Sequence, residues 1–165
     1  MPAHRAPDPS DEVSLHVDAP PERVYEIVTD IVQMGRLSPE CVGGRWLGGA
    51  TEPAVGARFK GRNKRGVARW STTNEVVQAD PGRAFGFKTL QSGYQWTYRM
   101  EPDATGTLVT ESRAPFRDRP LVAKVFTQLL LGGEQGHEEE LRAGMRQTLE
   151  RVKAIAEAGG QVSGT

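Results

Sequence analysis

The stretch EQGHEEELRAGMRQTLERVKAIAEA, residues 134–158, decides how this chain folds. Leu141, Met145, Thr148, Leu149, Val152, Ile155 and Ala156 recur at steps of three and four, which puts them on one stripe of a helix. Charged residues, among them Glu138, Glu139, Glu140, Arg142, Arg146, Glu150 and Arg151, occupy the other faces. Acidic residues crowd the first turns, where the helix dipole favours them, and Gly159-Gly160 supply a stop. About 25 residues rising 1.5 Å each give a rod of roughly 37 Å. An apolar stripe of that length needs an apolar surface equally long, and the rest of the chain has to supply it.

The sequence upstream does so with strands. Val13, Leu15 and Val17 alternate with polar residues and predict a first strand, preceded by a Pro- and charge-rich arm over 1–11. Asp18 or a neighbour is expected to cap a helix whose apolar face is Val24, Tyr25, Ile27, Val28 and Ile31, with proline tolerated in its first turn. A second short helical piece follows over 31–35. Period-two patterning then predicts strands near 42–47, 57–63, 68–79, 84–89, 94–101 and 107–114. The turn residues between them include Gly48-Gly49, Lys64-Arg65-Gly66, Asp80-Pro81-Gly82 and Gln91-Ser92-Gly93. Gly43-Gly44, Gly48-Gly49 and Gly132-Gly133 read as turn or hinge pairs, and 119–131 reads as a short helix. Six strands joined by tight turns make an antiparallel meander, and the first strand must pair with it to satisfy its own backbone.

Bulk properties narrow the function. At 165 residues, with 37% hydrophobic and 25% charged content, the chain is sized for one domain with an ordinary core: an arm at 1–11, a domain at 12–158 and a flexible tail at 159–165. Formal net charge is zero, which argues against nucleic acid as a partner. The lone Cys41 excludes an internal disulfide and fits a cytoplasmic location. MPAHRAPDPS lacks the apolar core of a signal peptide, and the apolar run at 126–131 is too short to cross a bilayer, so no membrane insertion is expected. The sequence leaves a homodimer open.

Alternation assigns the strand faces. Phe59, Gly61 and Asn63 share one side of their strand, and Trp70, Thr72, Asn74 and Val76 share a side of the next. Phe85, Phe87 and Thr89 follow, then Tyr94, Trp96, Tyr98 and Met100. On the last strand Val109, Glu111 and Arg113 are expected inward. Inward, Glu111 and Arg113 are acid/base or recognition groups; outward, they are a surface pair of little energetic worth. Aromatic walls with scattered polar groups are the usual make-up of a ligand pocket, whereas a sheet built only for packing carries more Val, Ile and Leu. The expected lining is Asn63, Trp70, Thr72, Phe85, Phe87, Trp96, Tyr98, Glu111, Leu141 and Met145.

Signatures of common chemistries are missing. There is no nucleophile elbow, P-loop or dinucleotide fingerprint. His137-Glu138-Glu139-Glu140 lacks the second histidine of a zinc helix, since position 141 is Leu, and His4, His16 and His137 are scattered; no metal and no cofactor are expected. Lys60-Gly61-Arg62-Asn63-Lys64-Arg65 reads as the charged outer face and turn of a hairpin, with a phosphate contact as the functional alternative.

Several stretches together carry a family resemblance: Val17-Asp18-Ala19-Pro20-Pro21-Glu22-Arg23-Val24-Tyr25, Leu37-Ser38-Pro39-Glu40, Gly56 to Asn63, Arg69-Trp70-Ser71-Thr72-Thr73, Trp96-Thr97-Tyr98, Val109-Thr110-Glu111-Ser112, and Gly144-Met145 with Thr148-Leu149-Val152-Lys153. In this order, over about residues 12–158, the chain resembles the SRPBCC superfamily, also called START-like or Bet v 1-like, in its actinobacterial polyketide cyclase/dehydrase-type branch. The resemblance implies an α+β helix-grip fold: a seven-stranded antiparallel sheet curled around the C-terminal helix, with two short helices after the first strand. It also implies a cavity for lipids, sterols, polyketides or other apolar molecules, and in a minority of members a cyclase or dehydratase activity. No residue set matches a cyclase position by position; Glu111, Arg113 and Tyr98 are the catalytic candidates. The partner expected is a small hydrophobic ligand. The enzyme reading, and an interaction module acting through the basic hairpin, stand as rivals.

Overall fold

The computed structural model describes residues 11–117 and 134–159, with side chains of the final helix from residue 139 onward. Strand β1 (Asp11–Val17) leads into helix α1 (Pro21–Thr29) and a 3-10 helix (Ile31–Arg36). Six strands follow: β2 (Cys41–Trp46), β3 (Arg58–Arg65), β4 (Ala68–Asp80), β5 (Ala84–Thr89), β6 (Tyr94–Pro102) and β7 (Thr107–Pro115). Helix α2 (Glu134–Ala158) completes the described chain. All seven strands form one antiparallel sheet in the order β1-β7-β6-β5-β4-β3-β2. The meander runs from β2 to β7, and β1 joins at the β7 edge, pairing Val13 with Glu111 and Val17 with Thr107. This is the α+β helix-grip architecture. The expected 119–131 helix, the Gly132-Gly133 bend, most of the terminal arm and tail, and the side chain of His137 lie outside the described residues.

The stripe of α2 packs as its spacing predicts. Met145, Thr148, Leu149, Val152 and Ala156 are buried, while Leu141 and Ile155 are half-buried. Leu149 and Val152 are fully enclosed, each worth about 1.5–3 kcal/mol relative to exposure. The helix runs closest to β1 and α1, with a slighter approach to β7. Helix α1 contributes Val24, Ile27 and Val28 to the same core, which continues through Phe59, Val76, Phe85 and Val109 of the sheet. A bulge in β4 keeps this packing in phase. Val76 pairs with Phe87 and Ala79 with Phe85, so one extra residue lets both pairs share the concave face despite their unlike parity.

Three local expectations are corrected. Gly43-Gly44 is not a turn: both residues lie within β2, because the 3-10 helix is laid directly on that strand. A Cβ on Gly44 would sit 2.6 Å from the Ile31 carbonyl oxygen, and one on Gly35 would sit 2.6 Å from the Val42 backbone, so only glycine permits this approach. Asp18 does not cap α1. The N-cap is Pro20, without a side-chain cap, and the Asp18 N–H instead donates to Glu157 Oε1 on α2 at 3.0 Å. Asp11, placed in the arm by composition, begins β1 and is buried. By contrast Gly48-Gly49, at φ +62° and +81°, is the turn its composition suggests.

Two substitutions check this account of the glycines. Gly44→Ala should lower stability by about 1–3 kcal/mol through forced separation of β2 from the 3-10 helix. Gly48→Asn, in open space and with a residue that tolerates the left-handed conformation, should change it by less than about 0.5 kcal/mol. Urea denaturation midpoints measure both, and equal effects would contradict the packing explanation.

Candidate functional site

The pairing register arranges the concave face in rungs. One rung runs Asp11, Arg113, Trp96, Phe87 and Val76 from β1 to β4. The next runs Val13, Glu111, Tyr98, Phe85 and Ala79. Glu111 and Arg113 therefore both point inward, as do Val109 and Thr107; all four are buried.

The two charged neighbours differ in their chemistry. The Arg113 guanidinium donates from Nε to Asp11 Oδ2 at 3.0 Å and stacks over the Tyr94 ring at 4.4 Å. Arg142 of α2 donates from Nε to the other oxygen, Asp11 Oδ1, at 2.6 Å. Burial alone would raise the Asp11 carboxyl, but the hydrogen bonds and charges of Arg142 and Arg113 outweigh it and hold the acid below its usual range. Arg113 is thus engaged in tying β1, β7 and α2 together.

Glu111 has no such partner. Its Oε1 accepts a hydrogen bond from the Tyr98 hydroxyl at 3.1 Å. Its Oε2 is the one buried side-chain polar atom without a hydrogen bond among the described residues. Burial pushes the Glu111 carboxyl up to about 8, with the Tyr98 bond pulling weakly the other way. At neutral pH this is an uncharged carboxylic acid. Burial also drives the Tyr98 phenol well above its ordinary value, helped by the charge and hydrogen bond of Glu111 and by Cys41.

The remaining lining residues divide in two. Phe85, Phe87 and Met145 belong to the packed core; Phe59 meets Phe87 edge-on at 5.1 Å. Asn63, Trp70, Thr72, Trp96, Tyr98 and Leu141 remain partly exposed although they sit on inward-facing positions. Asn63 pairs with Cys41 and Trp70 near the β3–β4 hairpin, while Thr72 accepts from Asn74 Nδ2 at 3.3 Å. Four residues of this interior escaped the sequence-derived lining. Asn74 and Thr89 share a hydrogen bond of 2.7 Å and were legible as inward by parity. Cys41 precedes the expected strand by one residue, and Asp11 precedes Val13 by two, on the parity of the β1 row but outside the strand expected there.

Elsewhere the basic hairpin resolves into outward Lys60, Arg62 and Lys64 and inward Gly61 and Asn63. Arg65 reaches α2 to pair with Glu140, and Arg58 pairs with Glu75 at 2.9 Å. His16 lies between Asp18 and Asp103 on the surface. Among the described residues no cluster of His, Cys, Asp or Glu is arranged to hold a metal, and no helix is long and apolar enough to cross a membrane.

The family model described as "Polyketide cyclase / dehydrase and lipid transport" matches residues 10–157. The chain belongs to this family. Within the polyketide cyclase/dehydrase and lipid transport family, and so within the SRPBCC superfamily, it is similar to a polyketide-cyclase-like protein from Corynebacterium glutamicum solved by NMR. That protein shares 32% identity over 93% of this chain and 94% of its own, with a TM-score of 0.62. Protein CV1439 from Chromobacterium violaceum shares 16% identity over 89% and 96% of the two chains, with a TM-score of 0.66. The di-domain ARO/CYC StfQ of the steffimycin biosynthetic pathway shares 16% identity over 92% of this chain and 51% of its own, with a TM-score of 0.69. The latter two show likeness of fold alone. No curated protein matches the chain.

The protonated Glu111 has a measurable signature in this family member. Between about pH 5 and the folded value of about 8, the folded state keeps a proton that the unfolded state releases. Stability attributable to this group therefore falls as pH rises through that window, by up to about 1.4 kcal/mol per pH unit. Glu111→Gln cannot ionise and should remove that slope. Denaturant titrations of both proteins at several pH values test this, and parallel curves across the window would contradict a buried neutral acid.

Proposed function

We propose that this protein binds a small apolar or aromatic molecule, lipid- or polyketide-like, between the concave face of the sheet and α2. Tyr98 carries the argument. Its hydroxyl is deep enough for burial to drive the phenol well above its ordinary value, yet the residue as a whole keeps part of its surface. A side chain that is deep and still presents surface lines a space; Phe59 and Phe85, on the same concave face, have no exposure left. Trp96, Trp70 and Leu141 share this partial exposure and give the space an apolar, aromatic wall. The family's description, which includes lipid transport, supports the reading. A cytoplasmic carrier fits the lone, buried, unpaired Cys41. Neither nucleic acid nor membrane insertion enters this reading, and a homodimer is compatible with it.

A second reading, a cyclase or dehydratase acting in the same space, is favoured by one observation. Glu111 holds a proton at neutral pH beside the Tyr98 hydroxyl, which is what a general acid requires. An enclosed site would also orient a reactive chain and exclude water from it.

Native mass spectrometry and tryptophan fluorescence against a panel of fatty acids, sterols and polyketides test the first reading. At least one compound should add stoichiometrically and quench emission, and Trp96→Ala should weaken it about tenfold. No adduct and no quenching across the panel would overturn it. Glu111→Gln separates the two readings: loss of turnover with binding kept marks an enzyme, and unchanged transfer marks a carrier.

A further inference from the structure

The unsatisfied oxygen of Glu111 says something about the guest. The carboxyl is fixed on one side, where Oε1 accepts from Tyr98 at 3.1 Å, and its Oε2 has no partner among the described residues. A neutral carboxyl has one O–H. With Oε1 already accepting, that proton belongs on Oε2, so this oxygen, enclosed in the structure, is a donor without an acceptor. A buried donor left unmade is unfavourable, and such groups are few in folded proteins.

We propose that the guest carries an uncharged carbonyl oxygen, which accepts a hydrogen bond from Oε2 of Glu111 while Tyr98 anchors the opposite oxygen. This rests on the binding reading given above and narrows it to ketones, esters and related acyl compounds with an apolar or aromatic body.

The surroundings favour a carbonyl over a cation. From β1 the neighbour of Glu111 is Val13, which brings no charge. From β6 it is Tyr98, whose phenol stays protonated. Two residues along β7 stands Arg113, which with Arg142 of α2 is held by Asp11. Cys41 of β2, near Tyr98, is kept as a thiol by burial. An ammonium guest would require Glu111 to ionise among apolar neighbours, with two guanidinium groups already on that side. A carbonyl requires no change of charge anywhere. An alcohol could accept the same proton but would bring a donor of its own that needs a partner.

The test uses three compounds of one skeleton: methyl naphthyl ketone, its hydrocarbon counterpart ethylnaphthalene, and naphthylethylamine. Calorimetric titration of the full chain at about pH 6 should show the ketone binding about tenfold more tightly than the hydrocarbon. At about pH 9.5, above the folded value of about 8 for Glu111, that advantage should disappear. Glu111→Gln keeps a side-chain N–H and should prefer the ketone at both pH values. Glu111→Met has no donor and should bind ketone and hydrocarbon alike. Infrared difference spectra of wild type against Glu111→Gln should show a protonated carboxyl band that moves to lower frequency when the ketone is added. Equal affinity for ketone and hydrocarbon in the wild type would overturn the carbonyl assignment and leave the binding reading intact. Preference for the amine would replace the carbonyl by a cation. Failure of all three compounds to bind the folded protein would count against both.

Discussion

The apolar stripe of α2 must be covered along its length, and a flat sheet cannot do this while leaving no bare flank. The sheet curls, and α1 and the 3-10 helix pack beside it. Where they meet, Leu149 and Val152 lose all contact with solvent. The helix runs nearest to β1 and α1. Farther round the curl, on β4 and β6, Thr72, Trp96 and Tyr98 keep part of their surface. Sealed residues are interspersed with these partly open ones, since Phe59 on β3 and Val76 on β4 have almost no exposure.

Much of this could be read from the residues alone. The α2 stripe, the six meander strands and the inward rows of β4 to β6 were legible because period 3.6 and period 2 are strong signals over long elements. On β7 the sequence favoured the Val109 side but left Glu111 and Arg113 open between inward and outward, and their burial decides it. The sequence was mute where a residue's role depends on contact between distant segments. Asp11 shares the parity of Val13, Leu15 and Val17, but nothing local marks a charged residue there as buried, and it is shared by arginines from two other elements. Gly43-Gly44 has the composition of a turn and is a strand because a helix needs to lie against it, a fact of packing rather than of local preference. The separation of core aromatics from partly open ones was equally invisible, since alternation reports the side of a sheet and not the distance to what lies opposite.

The polar groups inside the curl illustrate how differently such groups can be managed. Asn74 is satisfied by Thr89 and by its neighbours on the strand pair. Asp11 is satisfied by charge. Glu111 is satisfied on one oxygen only, and its burial keeps it neutral. Membership of the polyketide cyclase/dehydrase and lipid transport family sets the framework in which this third case is to be understood. Burying an acid in so apolar a setting costs desolvation, which makes it weak evidence for a stabilising role.

The position of β1 carries a consequence for how the chain reaches its native state. Asp11 pairs with Arg113, a separation of 102 residues, and five strands intervene before that edge exists. During synthesis the first strand emerges early and waits, unpaired, until β7 has been made. Closing so large a loop before its contacts form is entropically unfavourable, which places this protein among slow, topology-limited folders and leaves an apolar strand edge open to stray pairing in the interval.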